Sequence, residues 1–194
     1  LVVHPTLPVR SVKELIAHAR SNPGRINYAS GGTGSGNHLA TELFAQMAGV
    51  TMTHVPYKGS TAGITDLMGG QIQLIFSGVT GMIPHHKANR VRGIAVTSAK
   101  RNPAVPDLPA VGETLPGYES VSWSAVFAPK GLPRAIAERW NSEINKLLQT
   151  PNVRAQLDQT GLEAVGGTQA RLREILVRDI DTYRKVVKAA NIKL

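Results

Sequence analysis

Short apolar clusters from Leu1 to Ser98 switch between the strand period and the helix period, which predicts alternating strands and helices. Leu1 to His4 reads as a strand. A helix begins at Ser11, where Ser11-x-x-Glu14 has the form of a capping box. It carries Val12, Leu15, Ile16 and Ala19 on one face, and Asn22-Pro23-Gly24 ends it. Ile26 to Ser30 is the next strand. It enters a glycine-rich turn and a helix with Ala40, Leu43, Phe44 and Met47 on its buried face and Gly49 as its stop. Thr51 to Val55 is a third strand, followed by the turn Pro56-Tyr57-Lys58-Gly59 and a short helix around Ile64, Leu67 and Met68 that Gly69-Gly70 closes. Gln71 to Phe76 is a nearly continuous apolar strand, Met82 to Ala88 a short helix, and Arg92 to Thr97 a strand. Repeated units of this length imply an α/β fold in which a mainly parallel sheet is covered by helices.

Beyond this point the texture changes. Asn102 to Gly117 is proline-rich and reads as an ordered loop; Val121 to Ala128, with Trp123 and Phe127, reads as a strand. Pro133 then stands at a helix start, with Ile136, Trp140, Ile144, Leu147 and Leu148 on one face. Thr150-Pro151 opens another helix that Gly161 stops, and Thr168 caps a long one with Leu172, Ile175, Leu176, Tyr183 and Val186 facing inward. Three consecutive apolar-striped helices with scarcely a strand of their own need a surface to bury against. We therefore place a domain boundary near Ser124, separating residues 1–124 from 125–194.

Composition narrows the function. No apolar run is long enough to span a bilayer. The absence of cysteine rules out disulfides, thiolate metal sites and cysteine nucleophiles. A net charge of +9 attracts anions, but the basic residues are scattered and aromatic residues make up only 5%, too few for a base-stacking platform; nucleic acid is not the expected partner. The chain opens with Leu1-Val2-Val3, a strand in mid-flow, and reads as a fragment or a processed chain.

The most informative stretch is Tyr28-Ala29-Ser30-Gly31-Gly32-Thr33-Gly34-Ser35-Gly36-Asn37-His38-Leu39, a strand, a glycine turn and a helix start. Backbone N–H groups at such a start, with the helix dipole behind them, suit a carboxylate or phosphate. No Gly-Lys-Ser/Thr follows, and Asn37 breaks the G-x-G-x-x-G dinucleotide pattern. No G-x-S-x-G elbow occurs, and the six histidines lack metal-ligand spacing, so neither a metal nor a cofactor is expected. What remains is a set of polar loops at the carboxyl ends of successive strands, where the ligand crevice of an open α/β sheet lies. The candidate ligand-binding residues are Ser30, Gly31, Gly32, Thr33, Gly34, Ser35, His38, Tyr57, Ser77, Gly78 and Thr97. None forms an acid/base pair with a neighbour, so the crevice looks built to hold a molecule, not to transform it. His38 either donates to a ligand oxygen or packs against the loop, and Tyr57 either reaches the crevice or covers the strand end.

A set of motifs in this order resembles a known family. Tyr28-Ala29-Ser30, Gly34-Ser35 and His38-Leu39 come first, then His54-Val55-Pro56-Tyr57-Lys58-Gly59 and Ala95-Val96-Thr97-Ser98-Ala99-Lys100-Arg101. Val105-Pro106-Asp107-Leu108-Pro109 and Leu115-Pro116-Gly117-Tyr118 follow. Together they resemble the Bug proteins, the periplasmic solute-binding proteins of tripartite tricarboxylate transporters, from Leu1 to Leu194. The resemblance implies a two-domain type II periplasmic-binding fold that closes over a carboxylate-bearing solute and delivers it to membrane subunits. Amino acids, dicarboxylates, nicotinate-like acids and aromatic acids are the family's ligands. It also implies that about the first hundred residues of the family's length are absent, including a P-F-x-P-G-G-x-x-D loop. Residues 1–124 would then be the complete second domain and 125–194 the returning helices of the first, with apolar stripes open to self-association. Many relatives place Asp or Asn after the phenylalanine of the fourth strand, where this chain has Phe76-Ser77-Gly78. That departure favours a plain carboxylic or dicarboxylic acid over an amino acid. Two other readings stay open: a ligand-sensing effector domain of a regulator, and an enzyme acting on a small phosphorylated anion.

Overall fold

Residues 1–159 and 162–193 are described by a computed structural model. The chain forms two compact units, Leu1–Ser122 joined by the chain from Tyr183 onward, and Trp123–Thr182. In the first, β1 (Val2–Val3), β2 (Asn27–Ser30), β3 (Thr53–Pro56), β4 (Leu74–Ile75) and β5 (Arg92–Gly93) make one sheet in the order β3-β2-β4-β1-β5. β2 runs parallel to both β3 and β4, and β1 runs antiparallel to β4 and β5, so four of the five strands point the same way. The expected mainly parallel sheet is present, with β1 reversed within it. Because β1 offers only Val2 and Val3 to its neighbours, β4 and β5 are shorter than their apolar runs predict.

Side chains alternate across the sheet, and this divides the core into two layers. Tyr28, Val3, Leu74 and Phe76 join α1 (Val12–Ser21) and α2 (Gly36–Ala48) through Val12, Leu15, Ala19, Leu43 and Phe44. Ala29, Val2 and Ile75 join α3 (Ser60–Met68) and α4 (Val79–Lys87) through Leu67 and Met82. Local signals in the sequence act as expected at most helix ends. Ser11 Oγ accepts from Glu14 N–H at 3.1 Å, while the Glu14 carboxylate accepts from Arg10 N–H at 2.7 Å, one residue before the cap it would meet in a standard box. Gly49 ends α2 in the left-handed region at φ 61°. α4 begins at Val79, earlier than its apolar spacing suggests, because Gly78 already has extended backbone at the strand exit.

Gly63 on α3 faces the sheet so closely that a Cβ there would lie 2.7 Å from the Ala29 Cβ and 3.2 Å from the Tyr57 ring. Gly63→Ala should therefore destabilise the protein by about 1–3 kcal/mol, the usual cost of overpacking, despite alanine's higher helix propensity. Chemical denaturation of both proteins checks the sign.

The expected strand from Val121 to Ala128 is not formed. Its residues pair with no strand among those described, and Val126 and Phe127 are 71% and 64% exposed. A β-favouring composition needs a ladder partner, which sequence alone does not supply. In the second unit α5 (Arg134–Leu148) and α6 (Pro151–Gln159) follow, and α7 (Gln169–Ala189) belongs to it as far as Thr182. Thr168 Oγ1 accepts from Arg171 N–H at 3.1 Å, as a cap should, whereas the expected stop at Gly161 lies outside the described residues. The apolar stripe of α5 is open: Ile136, Trp140 and Leu147 are 44%, 61% and 55% exposed. On α7 only Val186 is fully buried; Leu172, Ile175, Leu176 and Tyr183 are half-buried, although the stripe predicts full burial.

Candidate functional site

The carboxyl ends of β2, β3, β4 and β5 share one edge of the sheet, and the start of β1 lies between the last two. Register brings the first two loops together. Ser30 pairs with Pro56, Tyr57 N–H donates to Ser30 C=O at 3.0 Å, and Gly59 N–H donates to Gly31 C=O at 3.2 Å. Ser77 and Gly78 follow β4, the other neighbour of β2. Thr97 stands farther along, beyond β5, where its carbonyl accepts from Ser120 N–H at 2.9 Å. The eleven candidate residues therefore divide into a bonded group on β2 and β3, a near group after β4 and an outlying Thr97.

The glycine loop is held by its own polar groups. The Gly32 carbonyl accepts from Ser35 N–H at 3.1 Å and from Ser35 Oγ at 2.5 Å. Gly32 and Gly34 take φ of 128° and 77°, a region that side chains disfavour, and this is why glycine stands there. Ser30, fully buried, accepts from Gly32 N–H at 3.1 Å; its one proton serves either the Gly32 carbonyl at 3.1 Å or His54 Nε2 at 2.6 Å. Gly31 N–H donates to Asn37 Oδ1 at 3.1 Å, and Gly34 N–H donates to His38 Nδ1 at 3.0 Å.

This changes the chemistry expected of the loop. The amides of Gly31, Gly32, Gly34 and Ser35 are engaged internally and shape the turn. The first-turn amides of α2, those of Gly36, Asn37 and His38, receive no side-chain cap, since Ser35 at the cap position turns its hydroxyl to Gly32 and Asn37. Uncapped donors in this position, backed by the helix dipole, suit an anion.

The two ambiguous side chains resolve towards structure. The His38 ring is buried beneath the loop and stacks on His54 with centroids 3.8 Å apart and planes 8° apart; the Tyr28 ring lies beside this pair, 5.0 Å from His54 and 6.2 Å from His38. The Tyr28 hydroxyl donates to Glu42, and burial raises its pKa. The Tyr57 hydroxyl donates to Asp66 Oδ2 at 2.6 Å; burial first, then this bond, pushes its pKa up to about 12. Sequence reasoning missed Asn37 and Ser60. Asn37 is the clasp of the loop: Oδ1 accepts from Gly31 N–H and Ser35 Oγ–H, and Nδ2 donates to Ser60 Oγ at 3.1 Å. The one signal in the sequence is that Asn37 breaks the dinucleotide pattern, and by itself that signal only excludes. Among the described residues no group of three or more His, Asp or Glu could hold a metal ion.

The sequence pattern of the family described as "Tripartite tricarboxylate transporter family receptor" matches residues 1–192. A Pseudomonas sp. (strain P51) protein, described as a UPF0065 protein in the tcbD-tcbE intergenic region, is 39% identical over 189 residues. That match covers 96% of this chain and 56% of the relative, so the chain spans little more than half the relative's length. Among solved structures, R. palustris Rpa4515 with adipate is 38% identical with a TM-score of 0.84, over 98% of this chain and 64% of that one. The periplasmic binding protein BugD is 27% identical with a TM-score of 0.79, over 99% of this chain and 65% of its own. With its family pattern matched almost end to end, the chain belongs to the tripartite tricarboxylate transporter receptors, the family that includes the Bug proteins.

Proposed function

We propose that this chain is the solute-binding part of a periplasmic receptor that captures a small dicarboxylate and hands it to the membrane subunits of a tripartite tricarboxylate transporter. It binds and releases its solute without chemical change. The observation that carries this reading is the start of α2, where a self-bonded glycine loop leaves the Gly36, Asn37 and His38 amides for a carboxylate. Ser30 to Ser35 and His38 shape that loop, Tyr57 buttresses it from the turn after β3, and Ser77, Gly78 and Thr97 line the edge along which the rest of the solute would lie. The adipate found in a relative of 38% identity supports a dicarboxylate, as does the lack of a carboxylate or amide at Ser77 to hold an ammonium group. In the same reading residues 1–124 form one lobe of the receptor and 125–194 belong to the other. The open stripe of α5 is then a surface through which copies would associate.

Calorimetric titration of the protein with adipate, succinate, hexanoate and glutamate tests the assignment. Adipate or succinate should bind at least about tenfold more tightly than hexanoate or glutamate, a difference of about 1.4 kcal/mol. Preference for glutamate, or no heat with either diacid, would overturn it.

A further inference from the structure

The ring of His38 offers a means of control that sits directly under the loop. Gly34 N–H donates to Nδ1, so this nitrogen carries no proton and the ring is the neutral tautomer with its proton on Nε2. We propose that His38 is a positioning residue that holds the glycine loop in its anion-accepting shape only while its ring is neutral, so that acid loosens the loop and releases a bound carboxylate. The proposal rests on the dicarboxylate reading above for its effect on binding, but not for its effect on the loop.

The local chemistry sets the direction. A proton on Nδ1 would turn the acceptor of Gly34 into a donor facing a donor, which removes the bond and leaves two N–H groups in opposition. Three titratable groups face the ring: His54 from β3, Tyr28 from β2, and Glu42 one turn along α2. His54, stacked at 3.8 Å, disfavours a second positive charge, so the pair takes up its protons in two separated steps. Tyr28 stays neutral and holds Glu42 through its hydroxyl. Burial lowers the His38 pKa from its ordinary 6.5, and Glu42 only partly opposes this. Burial first, then His38, lowers that of His54 to about 4. For a group depressed in this way the contribution is complete above about pH 6.5 and is lost as pH falls through the lowered folded-state pKa, which for His54 is about 4. His54 Nε2 adds a second tie, since it meets the Ser30 hydroxyl that accepts from Gly32 N–H.

The test follows the ligand-free protein by NMR from pH 7.5 to 4.5, reading the ring nitrogens of His38 and the amide of Gly34, with adipate affinity measured over the same range. The proposal expects His38 in the Nε2–H tautomer at neutral pH and a Gly34 signal that moves with the His38 titration. His38→Asn keeps an acceptor at the place of Nδ1 but cannot be protonated. Whatever its affinity at pH 7.5, it should lose about tenfold less affinity than the parent on going to acid pH, the effect of one coupled proton over one pH unit. The difference between the two proteins cancels the titration of adipate itself. Where His38→Asn does not fold, His54→Gln serves: a single ring titration at His38 should remain, still followed by Gly34. A proton on Nδ1 at neutral pH, a Gly34 signal indifferent to His38, or acid-tightened binding that His38→Asn abolishes would each overturn the proposal. If Gly34 follows His38 yet adipate binds neither protein at any pH, the dicarboxylate reading fails and the latch on the loop stands.

Discussion

Replacing Asn37 by aspartate is expected to leave stability unchanged or slightly raised while lowering adipate affinity by about two orders of magnitude. The two side chains have the same shape. Aspartate keeps an acceptor for Gly31 N–H and for the Ser35 hydroxyl, and Ser60, which receives the Asn37 amide, can reverse its hydroxyl and donate instead. A carboxylate in the first turn of α2 also meets the positive end of the helix dipole, worth about 0.3–1 kcal/mol. Every structural effect is therefore neutral or favourable. The ligand meets the opposite sign, because the new charge occupies the turn whose amides are assigned to its carboxylate. Two like charges a few ångströms apart repel by about 3 kcal/mol at an effective dielectric constant of about 20, which is about a hundredfold in affinity. Thermal melts and adipate titrations on the same preparations separate the two effects. A variant that melts normally and binds adipate as the parent does would place the anion away from α2.

Asn37 also marks the limit of what is legible in the sequence. Its identity is enough to exclude a dinucleotide loop, but the clasp depends on Ser60, which arrives from another strand–helix unit. The same distinction recurs elsewhere. Residue type and spacing identify the Ser11 cap, the Gly49 stop and the glycine turn, because each is decided within a few residues. Strand direction is not local: the apolar run at Leu1 to His4 has no feature that reveals β1 as the reversed strand. Nor does composition count ladder partners, so Val121 to Ala128 reads as a strand although no neighbour pairs with it. The glycine loop is recognisable as a tight turn before a helix, but not the bonds by which the Gly31, Gly32, Gly34 and Ser35 amides close it.

Phe44→Ala should cost more stability than Gly63→Ala, about 3–5 kcal/mol, the range for removing a buried phenylalanine side chain. The ring is fully buried on the inner face of α2 and stands at the centre of an aromatic group. Its centroid lies 5.8 Å from that of Phe76, at the exit of β4, and 6.1 Å from that of Tyr118 in an edge-on arrangement; Phe76 and Tyr118 are 6.4 Å apart. The Tyr118 hydroxyl then donates to the Ala40 carbonyl at 3.0 Å, one turn back along α2. Deleting the Phe44 ring opens a void that the sheet on one side and the Tyr118 bond on the other hinder from closing, so the cost should fall in the upper part of the range. For a chain of this size each kcal/mol moves the melting temperature by about 2–4 °C, which predicts a drop of about 10–20 °C. Because α2 carries on its first turn the amides proposed for the anion, the same aromatic group seats the proposed site on the sheet. Adipate affinity measured well below the melting temperature should nevertheless stay within about tenfold of the parent, since the clasp at Asn37 and the bond to His38 are intact. A small thermal shift would mean that the cavity collapses freely. A large loss of affinity in protein that is still folded would mean that the loop's own bonds do not suffice to hold its shape without the packing beneath them.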